Sequence, residues 1–147
     1  MPSEIDLNAL VAAFGDAVVV CDASGAIVLW NPAAQRLFGH TPEEALGQSL
    51  DLIIPDRLRA RHWEGYHQTM ATGITRYGTD VLRVPALHKD GHTLSIAFTV
   101  ALLTGADGKV EGIAAVVRDE SARFAEERAL RKRLMELESQ AAPSAPA

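Results

Sequence analysis

The chain has 147 residues, 22% of them charged, with a formal net charge of −5 and a single cysteine. That length suits one domain with one modest core, and the acidic balance lacks the basic face that a nucleic-acid partner requires. One cysteine excludes an internal disulfide, and no apolar run approaches the roughly 18 residues of a membrane span, so neither a secreted disulfide scaffold nor a membrane protein is expected. The start Met1-Pro2-Ser3-Glu4 is acidic rather than basic and shows no export signal, so a cytoplasmic location is expected.

In chain order, Ser3 reads as the cap of a helix over Glu4 to Phe14, with Ile5, Leu7, Leu10, Val11 and Phe14 available for docking. Asp16 to Asp22 and Ala26 to Trp30 are apolar runs joined by Ala23-Ser24-Gly25, the pattern of a hairpin, with Cys21 a packed and inert thiol in the first strand. At Asn31-Pro32 a strand stops and a helix starts. The Asn31 side chain can accept from the first free amides, and proline at the first helical position loses nothing by lacking an N–H. Thr41-Pro42-Glu43-Glu44 repeats that chemistry with acids in the first turn. Pro55 to Ala71 carries Leu58, His62, Tyr66 and Met70 at steps of four, a helix that Gly65 weakens and Gly73 ends.

Three strands are then expected, Thr79 to Leu87, Thr93 to Leu103 and Lys109 to Arg118, forming an antiparallel meander through the turns Lys89-Asp90-Gly91 and Gly105-Ala106-Asp107-Gly108. In the second strand Leu94, Ile96, Phe98, Val100 and Leu102 share one face, and in the first Leu82, Val84 and Ala86 do, with Pro85 marking an edge or bulge. Asp119 can cap a helix running to about Ser139, and Ala141 to Ala147 has little to bury. In that last helix Leu130, Leu134 and Leu137 make a narrow stripe among charges, a short coiled-coil seam that pairs with a second copy or folds back on the sheet. The homodimer is the preferred reading.

Polar residues give no catalytic constellation. Asp80, Glu64 and Glu111 do not form a paired-carboxylate cleft with a nucleophile, so an enzyme is not expected. His67 lies about 140° around the helix from His62, which separates the two as ligands of one metal. His88 and His92 flank the Asp90-Gly91 turn as ordinary exposed residues, and Arg57, Arg59 and Arg61 point apart as solvated charges or as partners of a cofactor's carboxylates.

The organisation resembles the PAS domain family over roughly Asp16 to Ser121. The matching pieces are the hairpin through Trp30-Asn31-Pro32-Ala33-Ala34, Phe38-Gly39-His40 with Glu43-Glu44 and Gly47, Ile54-Pro55, Lys89-Asp90-Gly91 and Arg118-Asp119-Glu120-Ser121, where Glu120 replaces the family's usual aliphatic residue. The resemblance implies an α+β fold: a five-stranded antiparallel sheet with short helices and one long helix on one face. It also implies segments at 1–15 (cap helix), 16–120 (core), 121–140 (signalling helix) and 141–147 (tail). The family senses small molecules or light and signals through a terminal helix. Light sensing by a flavin cysteine is not expected, because Cys21 lies on the first strand rather than on the short helix that carries that motif.

Ile54-Pro55-Asp56-Arg57-Leu58-Arg59-Ala60-Arg61-His62 is similar to the segment carrying the proximal iron ligand in haem-binding oxygen-sensing kinases and phosphodiesterases. This likeness implies haem b with His62 as axial ligand, a neutral imidazole being a good ligand for iron, and Tyr66, Leu82, Val84, Ile96, Phe98 and Val100 as the surrounding wall. Leu82 falls where the kinases place an arginine, and Asp80 where the phosphodiesterase type offers methionine. Oxygen is then expected to be held poorly, leaving carbon monoxide, nitric oxide or redox state as the signal. The same segment is also similar to family members for which no haem is implied. The rival expectation is a ligand-free dimerisation adaptor with a filled core: Ala86 and Ala115 leave room, whereas Phe98 and Leu102 fill it. With no kinase, cyclase or DNA-binding segment after the last helix, output is expected through a signalling partner such as a histidine kinase or regulator, or through the rest of a longer protein.

Overall fold

The structure, a computed structural model, describes residues 4–75 and 80–141. The expected Ser3 cap, the Thr79 strand start and all but the first residue of the 141–147 tail lie outside them. Helix α1 is Leu7–Ala13, shorter than Glu4 to Phe14 because Asp6 caps it, its carboxylate accepting from the Asn8 and Ala9 amides at 3.0 and 3.3 Å. Strands β1 (Ala17–Asp22) and β2 (Ile27–Trp30) form the first hairpin. Its turn is closed by the Asp22 carboxylate, which accepts from the Ser24 amide at 2.9 Å, the Ser24 hydroxyl at 2.7 Å and the Ala26 amide at 3.1 Å. Ala26 itself bridges to Ser49 and so stands just outside β2.

Helix α2 (Pro32–Phe38) ends at Gly39 in the left-handed region, φ 87°, and α3 (Pro42–Ala45) starts with a reciprocal Thr41–Glu44 capping box. A 3-10 turn at Leu50–Ile53 leads into the long helix α4 (Asp56–Thr72), which Gly73 terminates at φ 70°. Strands β3 (Leu82–Leu87), β4 (Thr93–Thr104) and β5 (Val110–Asp119) then form the meander, and α5 (Ser121–Ala141) leaves from its end. The five strands are hydrogen-bonded in the order β2-β1-β5-β4-β3, all antiparallel. Pro85 therefore sits on an edge strand, where its missing N–H matters least.

Register aligns the inner face in rows. Cys21 pairs with Ile113, which pairs with Leu102; Val19 with Ala115 and Val100; Ala17 with Val117, Phe98 and Leu82. Trp30, Ile27, Phe38, Ala33, Ala34 and Ala45 cover the β1 side of this face, and Phe38 and Ile27 are almost wholly buried. Burial of such side chains, at ~1.5–3 kcal/mol for each large one, is the main stabilising term of the fold. Cys21 belongs to this core, and burial pushes its thiol pKa up to about 12, as befits an inert residue. Among the described residues no helix is long and apolar enough to cross a membrane.

Candidate functional site

Asn31 sets the geometry of the N-terminal half. Buried at the β2–α2 junction, its side-chain oxygen accepts from the Ala34 amide at 3.0 Å, the expected cap, and also from the Val18 amide at 2.9 Å. Its amide group donates to the Val11 and Asp16 carbonyls at 3.0 and 3.2 Å, so one side chain ties α1, the α1–β1 linker, β1 and α2 together.

Helix α4 is fastened to the β1–β2 hairpin by two aromatic side chains. The Tyr66 hydroxyl donates a short hydrogen bond to the Asp22 carbonyl, and Trp63 Nε1 donates to the Asp51 carboxylate at 2.6 Å. Burial raises the Tyr66 phenol pKa well above its ordinary value, so it stays a donor. Arg59 is held on α4's first turns by an ion pair to Asp56 at 2.5 Å and by bonds to the Ile54 and Asp51 carbonyls at 3.0 and 3.2 Å. It is therefore engaged within the protein rather than free for a cofactor's carboxylates, while Arg57 and Arg61 remain exposed.

His62 lies between these anchors. Its ring is 4.7 Å from Trp63 in an edge-on contact and 5.8 Å from Tyr66, centroid to centroid. Its Nδ1 is buried and, among the described residues, has no hydrogen-bond partner. Burial lowers the imidazole pKa, an effect the Asp51 carboxylate partly offsets, so the ring is neutral at pH 7. A neutral half-buried imidazole with a free buried nitrogen and aromatic neighbours has the donor chemistry of an axial iron ligand or of a hydrogen-bonding anchor for a small molecule. His67, one turn on, faces solvent.

The remaining predicted wall divides along the sheet. Leu82, Phe98 and Val100 share the inner face and are partly buried, with Phe98 packed against the core. Ile96 is buried among core residues, and Val84, its partner on β3, is 38% exposed at the sheet edge. Tyr66 reaches the opposite end, at Asp22, beside the Cys21–Ile113–Leu102 row. Six residues of β4 separate Leu102 from Ile96, about 20 Å at strand rise. His62 and Tyr66 are brought together directly, their rings in contact. Two surface hollows lie away from His62: one of about 320 Å³ lined by Asp16, Arg36, Leu37 and Arg118, and an open groove along α5.

Helix α5 is joined to the sheet at its start, where Ser121 Oγ accepts from the Ser95 amide at 3.0 Å and the Glu120 amide donates to the Ser95 carbonyl at 2.7 Å. Asp119 accepts from the Ser121 amide at 2.8 Å and so caps the helix as its position suggests. Beyond that, Leu130, Leu134 and Leu137 are 62%, 56% and 45% exposed, so the stripe does not fold back on its own sheet.

A family profile described as the PAS fold matches residues 5–119. The chain belongs to the PAS family. It is 30% identical over 139 residues to the sensor protein FixL of Bradyrhizobium diazoefficiens, covering 93% of this chain and 26% of that one. It is also 30% identical over 114 residues to the oxygen sensor protein DosP of Escherichia coli, covering 78% and 14% respectively. The PAS domain of a protein from Colwellia psychrerythraea superposes with a TM-score of 0.69 at 23% identity, over 79% of this chain and 95% of that one. This PAS chain spans about a quarter or less of the curated relatives it matches. Its fold class is the expected one, a five-stranded antiparallel sheet with helices, and sensory signalling is the setting of these relatives.

Proposed function

We propose that this chain is a PAS sensory module that holds a small ligand or cofactor beside α4 and passes its presence through α5 to a dimer partner, and from there to a signalling protein such as a histidine kinase or regulator. The observation that carries this reading is His62 Nδ1, a buried polar atom without a partner among the described residues. Buried nitrogen left unpaired is destabilising by about 1–3 kcal/mol, and folded proteins retain such groups where something else satisfies them. Haem b is the first group to test there: His62 would hold it, with Tyr66, Leu82, Val84, Ile96, Phe98 and Val100 as the surrounding wall, and a bound haem supplies redox chemistry and affinity for diatomic gases. The likeness to an oxygen sensor and to FixL supports that choice. Burial favours the neutral imidazole, so one ring nitrogen of His62 keeps its lone pair available at neutral pH.

A second reading is favoured by the filled Trp30–Phe38–Ile27 core together with the exposed α5 leucines: a ligand-free adaptor that dimerises constitutively. Sedimentation equilibrium of the protein with and without hemin separates the two. A visible absorption band that sediments with the protein and shifts the monomer–dimer equilibrium supports the sensor; uptake of nothing and an unchanged dimer supports the adaptor.

A further inference from the structure

We propose that the β3–β4 hairpin binds a divalent transition-metal ion of the zinc type through His88 Nδ1, the Asp90 carboxylate and His92 Nδ1. These three donors all lie within 4.8 Å of one another. His88 Nδ1 is 3.2 Å from Asp90 Oδ1, and His92 Nδ1 contacts the same oxygen directly. A tetrahedral zinc with bonds of 2.0–2.1 Å separates its donors by about 3.3 Å. The His88–Asp90 spacing already meets that value. His92 meets it by a small withdrawal of its ring from Asp90, toward the solvent to which it is half exposed.

The hairpin is built so that these donors are held in place. Gly39 leaves the space that the His88 ring occupies, since a β-carbon there would lie 2.7 Å from His88 Cε1 and 2.8 Å from its Nε2. The next residue pins the turn to the body of the protein: the Lys89 amide donates to the Phe38 carbonyl at 2.9 Å, and its ammonium pairs with Glu44 at 2.5 Å. Within the turn, the His88 amide donates to the His92 carbonyl at 2.9 Å and the His92 amide to Asp90 Oδ1 at 3.0 Å. The two imidazoles stack with centroids 4.5 Å apart and planes at 23°. A tight turn explains Asp90, but it does not require an imidazole on each side of it.

The Asp90 amide donates to His88 Nδ1 at 3.1 Å, a hydrogen bond that the ion must displace to take that nitrogen's lone pair. Binding at His92 Nδ1 uses the neutral tautomer that carries its proton on Nε2. Two nitrogens and one oxygen make three protein ligands, leaving the fourth position to water.

Calorimetric titration of tag-free protein with zinc chloride, paired with thermal melting, tests this. One ion per chain and a raised melting temperature are expected. His92→Asn, at an exposed position that leaves the fold intact, should weaken binding roughly tenfold or more, and Asp90→Asn, which keeps the turn's acceptor but loses the charge, should weaken it as well. His67→Ala should bind zinc as the parent does. Absence of saturable binding, or equal affinity in His92→Asn and the parent, overturns the proposal.

Discussion

Trp63 presses its ring against Gly25: a β-carbon at Gly25 would lie 2.3 Å from two atoms of the indole. The long helix is thereby seated on the turn of the first hairpin at a point where no side chain can intervene. Gly25 is also held at φ 88°, a conformation that side chains resist. Gly25→Ala should therefore destabilise the protein by about 2 kcal/mol or more, the sum of left-handed strain and the displaced ring. Urea unfolding of Gly25→Ala, Trp63→Leu and the double variant checks this. The double variant should recover at least ~0.5 kcal/mol relative to additivity, because the clash disappears while the strain remains.

Asn31 offers a second test, since its oxygen and its amide group do different jobs. Asn31→Ala leaves the buried Val18 amide unpaired and removes the α2 cap, and should cost about 2–4 kcal/mol by denaturant melts. Asn31→Asp keeps both accepted bonds but can no longer donate to Val11 and Asp16. In hydrogen exchange, that variant should lose protection in α1 before it loses protection in β1.

The pH dependence of stability follows from His62. Burial sets its folded-state pKa below the unfolded value of about 6.5. Below that pH the unfolded chain takes up a proton that the folded chain resists, so acidification favours unfolding. The contribution is fully present above the unfolded pKa and is lost as pH falls through the folded one. His40, also lowered mainly by burial, acts in the same direction. His62→Leu should therefore flatten, without abolishing, the fall in urea midpoint between pH 7.5 and 5.5. An equally steep fall in that variant would assign the dependence elsewhere.

Local chemistry made much of this fold readable from the residues alone. Asn31-Pro32 and Thr41-Pro42 announce helix starts because the capping atoms lie within three residues of their targets, and Pro85 announces an edge because it lacks a donor. The long-range work of Asn31, reaching Val11, Asp16 and Val18, is invisible at that range because the partners meet only when β1 and β2 pair. The 3-10 turn at Leu50–Ile53 carries its own signal in Ser49, which accepts from the Asp51 amide at 3.1 Å, but four residues are too few for periodicity to register. Alternation predicted which β3 and β4 residues share a face, yet not which of them lie near His62. That depends on where Trp63 and Tyr66 fasten α4 along the sheet, and they fasten it at the Asp22–Gly25 turn. The unpartnered Nδ1 of His62 has no sequence signature, since it is defined by what does not reach it.

The central claim is that the His62 imidazole anchors the ligand, and titration of the purified chain with hemin, followed in the Soret region, tests it most directly. The parent and His67→Ala, whose imidazole faces solvent, should both develop a sharp band saturating at one equivalent, and His62→Ala should not. A band of the same position and affinity in His62→Ala, or none in the parent, would contradict the account.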